Sequence, residues 1–268
     1  MKAKIEANGK IKFIQFKNTK IPFTERYGFY IGDSDVMLSY VNDGFYGKKG
    51  DVEFCLKYEE FCDYVKILIK IHNKGETDIK EPIGFHTGID SVMIKYPQWH
   101  ETYFPTLLRC EKTHLWGYYM NTAQNTLAVA TDKGVSSYNI EYNKINEDNY
   151  GHRILGSNIV FIQNTDLPER HPDNLKVLKS SEVYENALYF IPAQKEEVVN
   201  KLSAIAEIPV ITAEKFTLEK GDFLNFEVWY GGKWTSELIL PDGRKCGTDN
   251  FVFTDYGIYR LILCRFSN

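Results

Sequence analysis

Short runs of alternating hydrophobic and polar residues recur along most of the chain, and Gly, Asn, Asp or Pro bounds each run. This period of two predicts β-strands, because successive strand side chains point to opposite faces of a sheet. The clearest run is residues 63–72 (DYVKILIKIH), where every second residue from Val65 to Ile71 is Val or Ile. The Asn-Lys-Gly that follows predicts a turn at the end of this strand.

The same alternation predicts strands through most of the chain up to residue 191. They are expected at residues 11–16, 27–31, 52–58, 126–131, 136–142, 157–163 and 187–191. Because such runs greatly outnumber helical stretches, the sequence predicts an all-β protein built of stacked antiparallel sheets.

One segment has helical periodicity instead. In residues 194–208, apolar side chains recur at spacings of three and four, and Pro192 and Pro209 bracket the segment. The short-strand pattern then resumes. We therefore predict two domains, residues 1–208 and residues 209–268, linked by this helix.

The predicted second domain is a sandwich of about 60 residues, smaller than most domains that fold alone. A domain of this size is expected to rely on its neighbour for stability. Its strands are expected at residues 213–218, 223–229, 237–240, 251–253 and 257–264.

Composition narrows the choice of partners. The 268 residues carry a net charge of -4, which argues against nucleic-acid binding through a broad basic surface. No apolar run approaches the roughly 18 residues needed to cross a bilayer, so no membrane partner is expected. The first residues lack a signal-peptide pattern, which favours the cytoplasm; the alternative is an exported protein whose signal has been removed.

The five cysteines form no C-x-x-C pair, which argues against a disulfide framework and a structural zinc site. Free thiols fit a reducing compartment. Cys110 has two basic neighbours, Arg109 and Lys112, which would lower its pKa; a buried, unreactive thiol is the alternative. No cofactor motif is present, because the chain has no phosphate-binding glycine loop and no strand–helix alternation.

The densest candidate chemistry lies between Gly84 and Met120. Sugar sites combine flat aromatic faces with side chains that hydrogen-bond hydroxyls or pair with carboxylates. Trp99 and Trp116 are the predicted stacking surfaces. The predicted polar partners of the ligand are His100, Arg109, Glu111 and His114.

Two other interpretations of this segment stay open. In one, the tryptophans pack in the core and the polar groups satisfy loop backbones. In the other, a histidine and Glu101 or Glu111 act as general acid and base on a sugar oxygen. His86, His100 and His114 are spaced by fourteen residues, without the tight spacing of a metal motif, so no metal site is predicted.

Three longer motifs suggest a family resemblance: YPQWHETYFPTLLRCEKTHLWGYYM, GHRILGSNIVFIQN and LPERHPDNL. They resemble the N-terminal β region of bacterial multidomain polysaccharide-degrading enzymes. In those enzymes a galactose-mutarotase-like supersandwich precedes an (α/α) toroid that performs glycoside hydrolysis or elimination. The tail, with EKGDFLNFEV, ELILPDG and GIYRLIL, is similar to immunoglobulin-like modules that follow or link such domains.

The resemblance covers residues 60–265 and implies a large antiparallel β-supersandwich followed by a small immunoglobulin-like sandwich. It also implies a non-catalytic, carbohydrate-associated module that binds glycan or buttresses an (α/α) catalytic domain. One alternative is a mutarotase-like sugar epimerase with a His/Glu acid–base pair. A second is a structural spacer whose named aromatic residues are buried. No catalytic residue is carried over from the family.

Overall fold

The computed structural model of the protein describes residues 1–89, 102–142, 154–164 and 173–266. The chain divides into two compact units, Met1–Leu202 and Ser203–Asn268. The division falls inside the helix that was predicted to link two domains, so it lies before the predicted boundary at residue 208.

The strands bear out the all-β prediction, and all their pairings are antiparallel. In chain order, the strands in the described ranges are β1 (Lys2–Ile5), β2 (Ile11–Phe16), β3 (Thr19–Ile31), β4 (Ser34–Asp35), β5 (Ser39–Val41), β6 (Gly44–Lys49), β7 (Val52–Glu60), β8 (Val65–Asn73), β9 (Ile83–Ile89), β10 (Phe104–Cys110), β11 (Leu115–Met120), β12 (Asn125–Thr131), β13 (Ser137–Tyr142), β14 (Ile154–Ile162), β15 (Val183–Gln194), β16 (Val210–Thr212), β17 (Glu227–Trp229), β18 (Trp234–Ile239), β19 (Lys245–Cys246) and β20 (Arg260–Arg265).

Two large sheets make up the first unit. The seven-stranded sheet has the order β1-β2-β3-β9-β14-β13, with β4 paired to β3. The eight-stranded sheet has the order β10-β11-β12-β15-β8-β7-β6-β5. Buried side chains from both sheets form one hydrophobic cluster, so the sheets pack face to face.

Strand β8 shows how the sequence pattern becomes core. Val65, Ile67, Ile69 and Ile71 are buried, and the residues between them are partly or fully exposed. Removing each of these side chains from water stabilises the fold by about 1.5–3 kcal/mol. The alternation that predicted this strand therefore also marks its inward face.

Strand β9 is central in the seven-stranded sheet and is buried along its whole length. Phe85 points into the core, where its ring meets those of Tyr27 and Phe29 edge-on at centroid distances of 4.9 and 5.2 Å. His86, the next residue, points to the opposite face of the sheet. This strand therefore connects the core to the face described below as the candidate site.

The single helix described in the structure, α1 (Val198–Ala206), is shorter than the predicted span of residues 194–208. A 3-10 turn, Lys195–Glu197, precedes it, and the Glu197 carboxylate accepts a hydrogen bond from the Gln194 backbone N–H at 3.3 Å. Among the described residues, no helix is both long and apolar enough to cross a membrane.

The second unit contains the pair β16–β17 and the three-stranded sheet β19-β18-β20. Two predictions for this unit are wrong. Residues 213–218 form no strand, and residues 251–253 contribute only an isolated bridge from Val252 to Phe223. Phe216 and Phe223 are well exposed, so the alternating pattern there does not mark a buried face.

Candidate functional site

A cleft of about 570 Å³ lies on the outer face of the seven-stranded sheet, over β3, β9, β14 and β13. We call it the His86 cleft. The opposite face of the same strands carries the core side chains Phe29, Phe85 and Ile159. Side chains that line the cleft include Arg26, Tyr30, Asp35, His86, Tyr138 and Asn158.

Strand register sets the positions of these side chains. His86 lies between Gly28 on β3 and Asn158 on β14, so a glycine leaves open space on one side of the imidazole. Gly28 has φ of 126°, a conformation that L-residues with side chains rarely adopt. The backbone conformation at position 28 therefore favours glycine, the residue that leaves this side of His86 open.

A tight turn brings a carboxylate to the imidazole. Gly32, with φ of 54°, turns the chain so that Asp35 of β4 pairs with Tyr30 of β3. His86 Nε2 lies 3.3 Å from Asp35 Oδ1. The His86 side chain is only 8% exposed, whereas that of Asp35 is 76% exposed. The pair therefore consists of a buried imidazole and a carboxylate that solvent reaches at the rim of the cleft.

Tyr30 completes this group. Its ring lies 4.6 Å from the His86 ring, with an angle of 33° between the two planes. Tyr30 is opposite Gly84 in the register, and its ring covers the space that a side chain at Gly84 would need. The glycine on β9 thus allows the tyrosine to lie against the histidine.

The cleft combines groups with complementary hydrogen-bonding capacity. Asp33 and Asp35 accept, Arg26 donates, and Asn158 offers both an acceptor and donors. Tyr138, on the edge strand β13, adds a partly exposed aromatic ring. Such a surface suits a ligand with many hydroxyl groups and one or two flat apolar faces.

Of the six ligand residues predicted from the sequence, the four that the structure describes lie outside the His86 cleft. Trp99 and His100 fall outside the described residues. Arg109, Glu111, His114 and Trp116 belong to the β10–β11 hairpin, which is part of the eight-stranded sheet rather than the sheet that carries the cleft.

Within that hairpin, the Glu111 backbone N–H donates a hydrogen bond to the His114 carbonyl oxygen at 2.9 Å, and side-chain contacts join Arg109 to Trp116 and to Glu111. Arg109 and Trp116 are paired in the register, and the guanidinium lies 5.7 Å from the Trp116 ring centroid. Arg109 Nε is also 3.4 Å from Glu111 Oε1. His114 has a different polar neighbour, since its Nδ1 lies 2.9 Å from the Thr113 hydroxyl.

The four described residues of the predicted ligand site differ in how far their side chains are buried. Trp116 is 2% exposed and His114 is 3% exposed, so neither presents an open face to solvent. This observation favours core packing for Trp116 over a stacking surface. Arg109 and Glu111 are more exposed, and ligand binding by them stays a prediction.

For Cys110, the structure favours an unreactive thiol over a thiol activated by its basic neighbours. Burial, with a smaller contribution from Glu111, raises the pKa of its thiol to about 11. Its Sγ lies 3.4 Å from the Val135 carbonyl oxygen. The thiol is therefore neutral near pH 7, and neighbouring basic residues do not activate it.

We expect Cys110 to react with iodoacetamide much more slowly than the exposed Cys62 and Cys264 in the folded protein. Only the thiolate attacks, and raising the pKa of the Cys110 thiol from its ordinary value of 9.0 to about 11 leaves about a hundredfold less thiolate on Cys110 at neutral pH. Mass spectrometry of the labelled protein gives the three rates. Equal labelling of all three thiols in the native state would contradict the burial of Cys110.

Part of the His86 cleft was missed from the sequence. His86 was considered as an acid–base or metal candidate, whereas Tyr30 and Asp35 were not singled out. Asn158 lies within GHRILGSNIVFIQN, one of the motifs that carries the family resemblance. Among the described residues, no cluster of His, Cys, Asp or Glu is arranged to hold a metal ion.

No family model matches this sequence, and no curated protein sequence matches it. A solved structure described as a polysaccharide lyase has a similar fold, with a TM-score of 0.66 and 13% sequence identity. The match covers 100% of this chain and 42% of that protein. The chain therefore spans less than half the length of the lyase, and at this identity the likeness concerns the fold alone.

Proposed function

We propose that the chain is a carbohydrate-associated, non-catalytic module of a polysaccharide-degrading enzyme, and that the His86 cleft binds glycan. The observation that carries this proposal is the group of Tyr30, Asp35 and His86 in one polar cleft. The fold similarity to a polysaccharide lyase supports the carbohydrate theme.

Each part of the cleft has a role in this proposal. The Asp35 carboxylate accepts hydrogen bonds from sugar hydroxyls at the exposed rim, where it is accessible without rearrangement. His86 lies against the Tyr30 ring and contacts the Asp35 carboxylate through Nε2, so its role is to position that carboxylate at the rim. Tyr138 offers an apolar face against which the C–H groups of a sugar ring pack.

The finer family assignment is part of the same proposal. Two large antiparallel sheets in one unit support a galactose-mutarotase-like supersandwich, and the small antiparallel second unit supports an immunoglobulin-like module. An (α/α) catalytic domain is the proposed protein partner.

Isothermal titration with a panel of neutral and uronate-containing oligosaccharides tests the cleft. We expect Asp35→Ala and His86→Ala to weaken binding about tenfold, because the first removes directed hydrogen bonds worth about 1.4 kcal/mol and the second removes the group that positions the carboxylate. His72→Ala is the matched control, since His72 is a partly exposed histidine on β8 of the other sheet. Unchanged binding by both cleft variants, or no binding of any glycan by the wild type, would refute the assignment.

A mutarotase-like epimerase is the second candidate, favoured by the imidazole–carboxylate contact within the cleft. The carboxylate is Asp35, not the glutamate of the sequence-based hypothesis. Polarimetry distinguishes the two functions: an epimerase accelerates anomer exchange and loses that activity in His86→Ala, whereas a binding module does neither.

The structural-spacer alternative is supported by different residues. Trp116 is buried, as this alternative requires, whereas Trp99 lies outside the described residues. Met37, Tyr40 and Val41 of the first unit are exposed apolar side chains. A spacer predicts no glycan binding in the titration above, so the same experiment separates it from the proposed function.

A further inference from the structure

We propose that the outer side of β1–β3 is a second glycan-binding surface, selective for acidic polysaccharides that carry carboxylate or sulfate groups. This inference rests on the proposed function and adds the class of glycan. We call the surface the basic face. It consists of Lys2, Lys4, Lys12 and Lys20 around Phe13.

Positive charge is concentrated at one end of an otherwise acidic chain. Residues 1–20 contain six lysines and one glutamate, whereas the whole chain has a net charge of -4. The negative net charge of the whole chain therefore does not exclude a local cluster of positive charge. A cluster of one sign on a single sheet edge attracts oppositely charged polymers and speeds their association.

The register places three of these lysines, Lys2, Lys4 and Lys20, on a common face, and Lys12 lies at the register shift between β1 and β2. Lys2, Gln15 and Lys20 are directly paired across three strands, and Lys4 pairs with Phe13 in the adjacent row. The alternate residues, Ile14 and Ile21, are buried in the core. Neighbouring strands are about 4.8 Å apart, so the backbone positions of Lys2 and Lys20 are about 10 Å apart along this row.

Most of this charge is not neutralised by the protein. Lys10 pairs with Glu25, with Nζ 3.4 Å from Oε2. Among the described residues, Lys2, Lys4, Lys12 and Lys20 make no ion pair, and all four are exposed. Like charges at neighbouring positions of a sheet repel, and a bound polyanion would relieve that repulsion.

The surface also has a depression with an apolar wall. A cavity of about 250 Å³ is lined by Lys10, Lys12 and Lys20, by Glu6 and Glu25, and by the rings of Phe13 and Phe23. Its three lysines exceed its two glutamates by one charge, and Lys10 is the lysine that pairs with Glu25. Lys20 Nζ lies 4.4 Å from the Phe13 ring centroid, so the ammonium and the ring are presented together. A uronic acid offers matching groups, because its ring has an apolar C–H face and its carboxylate is a point acceptor for an ammonium.

The basic face and the His86 cleft differ in chemistry. The cleft has two aspartates, Asp33 and Asp35, against one arginine, which suits hydroxyl groups. Strand β3 contributes to both surfaces, with Lys20 near one end and Tyr30 near the other. The separation along the strand is about 33 Å, a span that an extended polysaccharide can bridge and a monosaccharide cannot.

The test uses the whole chain and three immobilised or titrated probes: polygalacturonate, a neutral glucan and a double-stranded DNA oligonucleotide. We expect wild-type protein to bind polygalacturonate best. The combined variant Lys2→Gln, Lys4→Gln, Lys12→Gln and Lys20→Gln should bind it about tenfold more weakly, since several modest exposed contacts are lost together. Raising the salt from about 0.1 M to about 1 M should weaken wild-type binding similarly, as the Debye length falls from about 10 Å to about 3 Å.

A matched variant changes the same number of charges elsewhere. Lys48→Gln, Lys49→Gln, Lys80→Gln and Lys195→Gln replaces four exposed lysines outside the basic face and should bind polygalacturonate as the wild type does. Equal weakening in both variants, or DNA bound as tightly as polygalacturonate, overturns the inference because the attraction is then unspecific. Neutral glucan bound through the His86 cleft, without a preference for polygalacturonate, overturns it while the proposed function stands. No binding to either glycan refutes both.

Discussion

Replacing Phe85 by alanine is expected to lower the free energy of unfolding of the first unit by about 3–5 kcal/mol. Phe85 is fully buried and makes edge-on ring contacts with Tyr27 and Phe29 in the centre of the seven-stranded sheet. Truncation removes the transfer free energy of a whole ring and leaves a cavity that neighbouring strands cannot fill. Urea denaturation followed by near-ultraviolet circular dichroism measures the loss.

A variant with a large apolar side chain at position 85 separates the effect of lost ring packing on stability from the effect of lost hydrophobic burial. Phe85→Leu keeps an apolar side chain of substantial volume and should lose about 1–1.5 kcal/mol. Because His86 lies on the opposite face of the same strand, Phe85→Ala should also reduce glycan binding at the His86 cleft. A Phe85→Ala protein that is as stable as the wild type would contradict the position of Phe85 in the core.

Local sequence patterns predicted the strands that have one buried face. Residues 11–16 coincide with β2, although their buried positions, Ile11 and Ile14, are three residues apart. The alternation of residues 63–72 predicted the inward residues of β8 correctly. The sequence was less informative for β9 (Ile83–Ile89), which is buried on both faces. Its outward positions are Gly84, His86 and Gly88, and the glycines weaken the strand signal because glycine is depleted in strands.

The errors in the second unit have the opposite cause. Residues 213–218 include Ala213, Glu214 and Lys215, residue types that are depleted in strands, and the segment pairs with no strand among the described residues. Strand pairing depends on residues distant in the chain, which a local pattern cannot reveal. The same limit applies to residues 251–253, which form only one bridge.

The candidate site was harder to predict than the fold, because its parts are far apart in sequence. Asp35 reaches His86 through a two-residue strand that follows a glycine turn, and Asn158 reaches it through strand register. The density of aromatic and charged residues instead pointed to the β10–β11 hairpin, where Trp116 is buried. The high local density of aromatic and charged residues thus indicated a packed hairpin. The cleft is formed instead by the pairing of strands that are far apart in the sequence.

The two proposed surfaces divide the recognition of one polymer between them. The His86 cleft offers neutral and acidic hydrogen-bonding groups, whereas the basic face offers unpaired ammonium groups. Two binding surfaces for one polymer raise the overall affinity. Once the polymer is bound at the first surface, its binding at the second surface is intramolecular. Longer acidic chains should therefore bind more tightly than short ones at equal concentration of sugar units.

Replacing Gly84 by alanine is expected to impair both the fold and the cleft. A Cβ at this position would lie 2.5 Å from the Ile159 carbonyl oxygen and 2.6 Å from Tyr30 Cζ. The backbone oxygen belongs to the neighbouring strand β14 and cannot move without disturbing the ladder, so overpacking should cost about 2–3 kcal/mol of unfolding free energy. Tyr30 must then leave its place against His86, and glycan affinity should fall about tenfold.

The two effects of Gly84→Ala are separable by measurement. Gly247→Ala, at a glycine with open space around the added methyl group, is the control and should change neither stability nor binding. Tyr30→Leu removes the ring without crowding the strands, so it should weaken glycan binding while costing less stability than Gly84→Ala. If Gly84→Ala binds glycan as the wild type does, despite a lower unfolding midpoint, then Tyr30 takes no part in the ligand site and the cleft must be assigned without it.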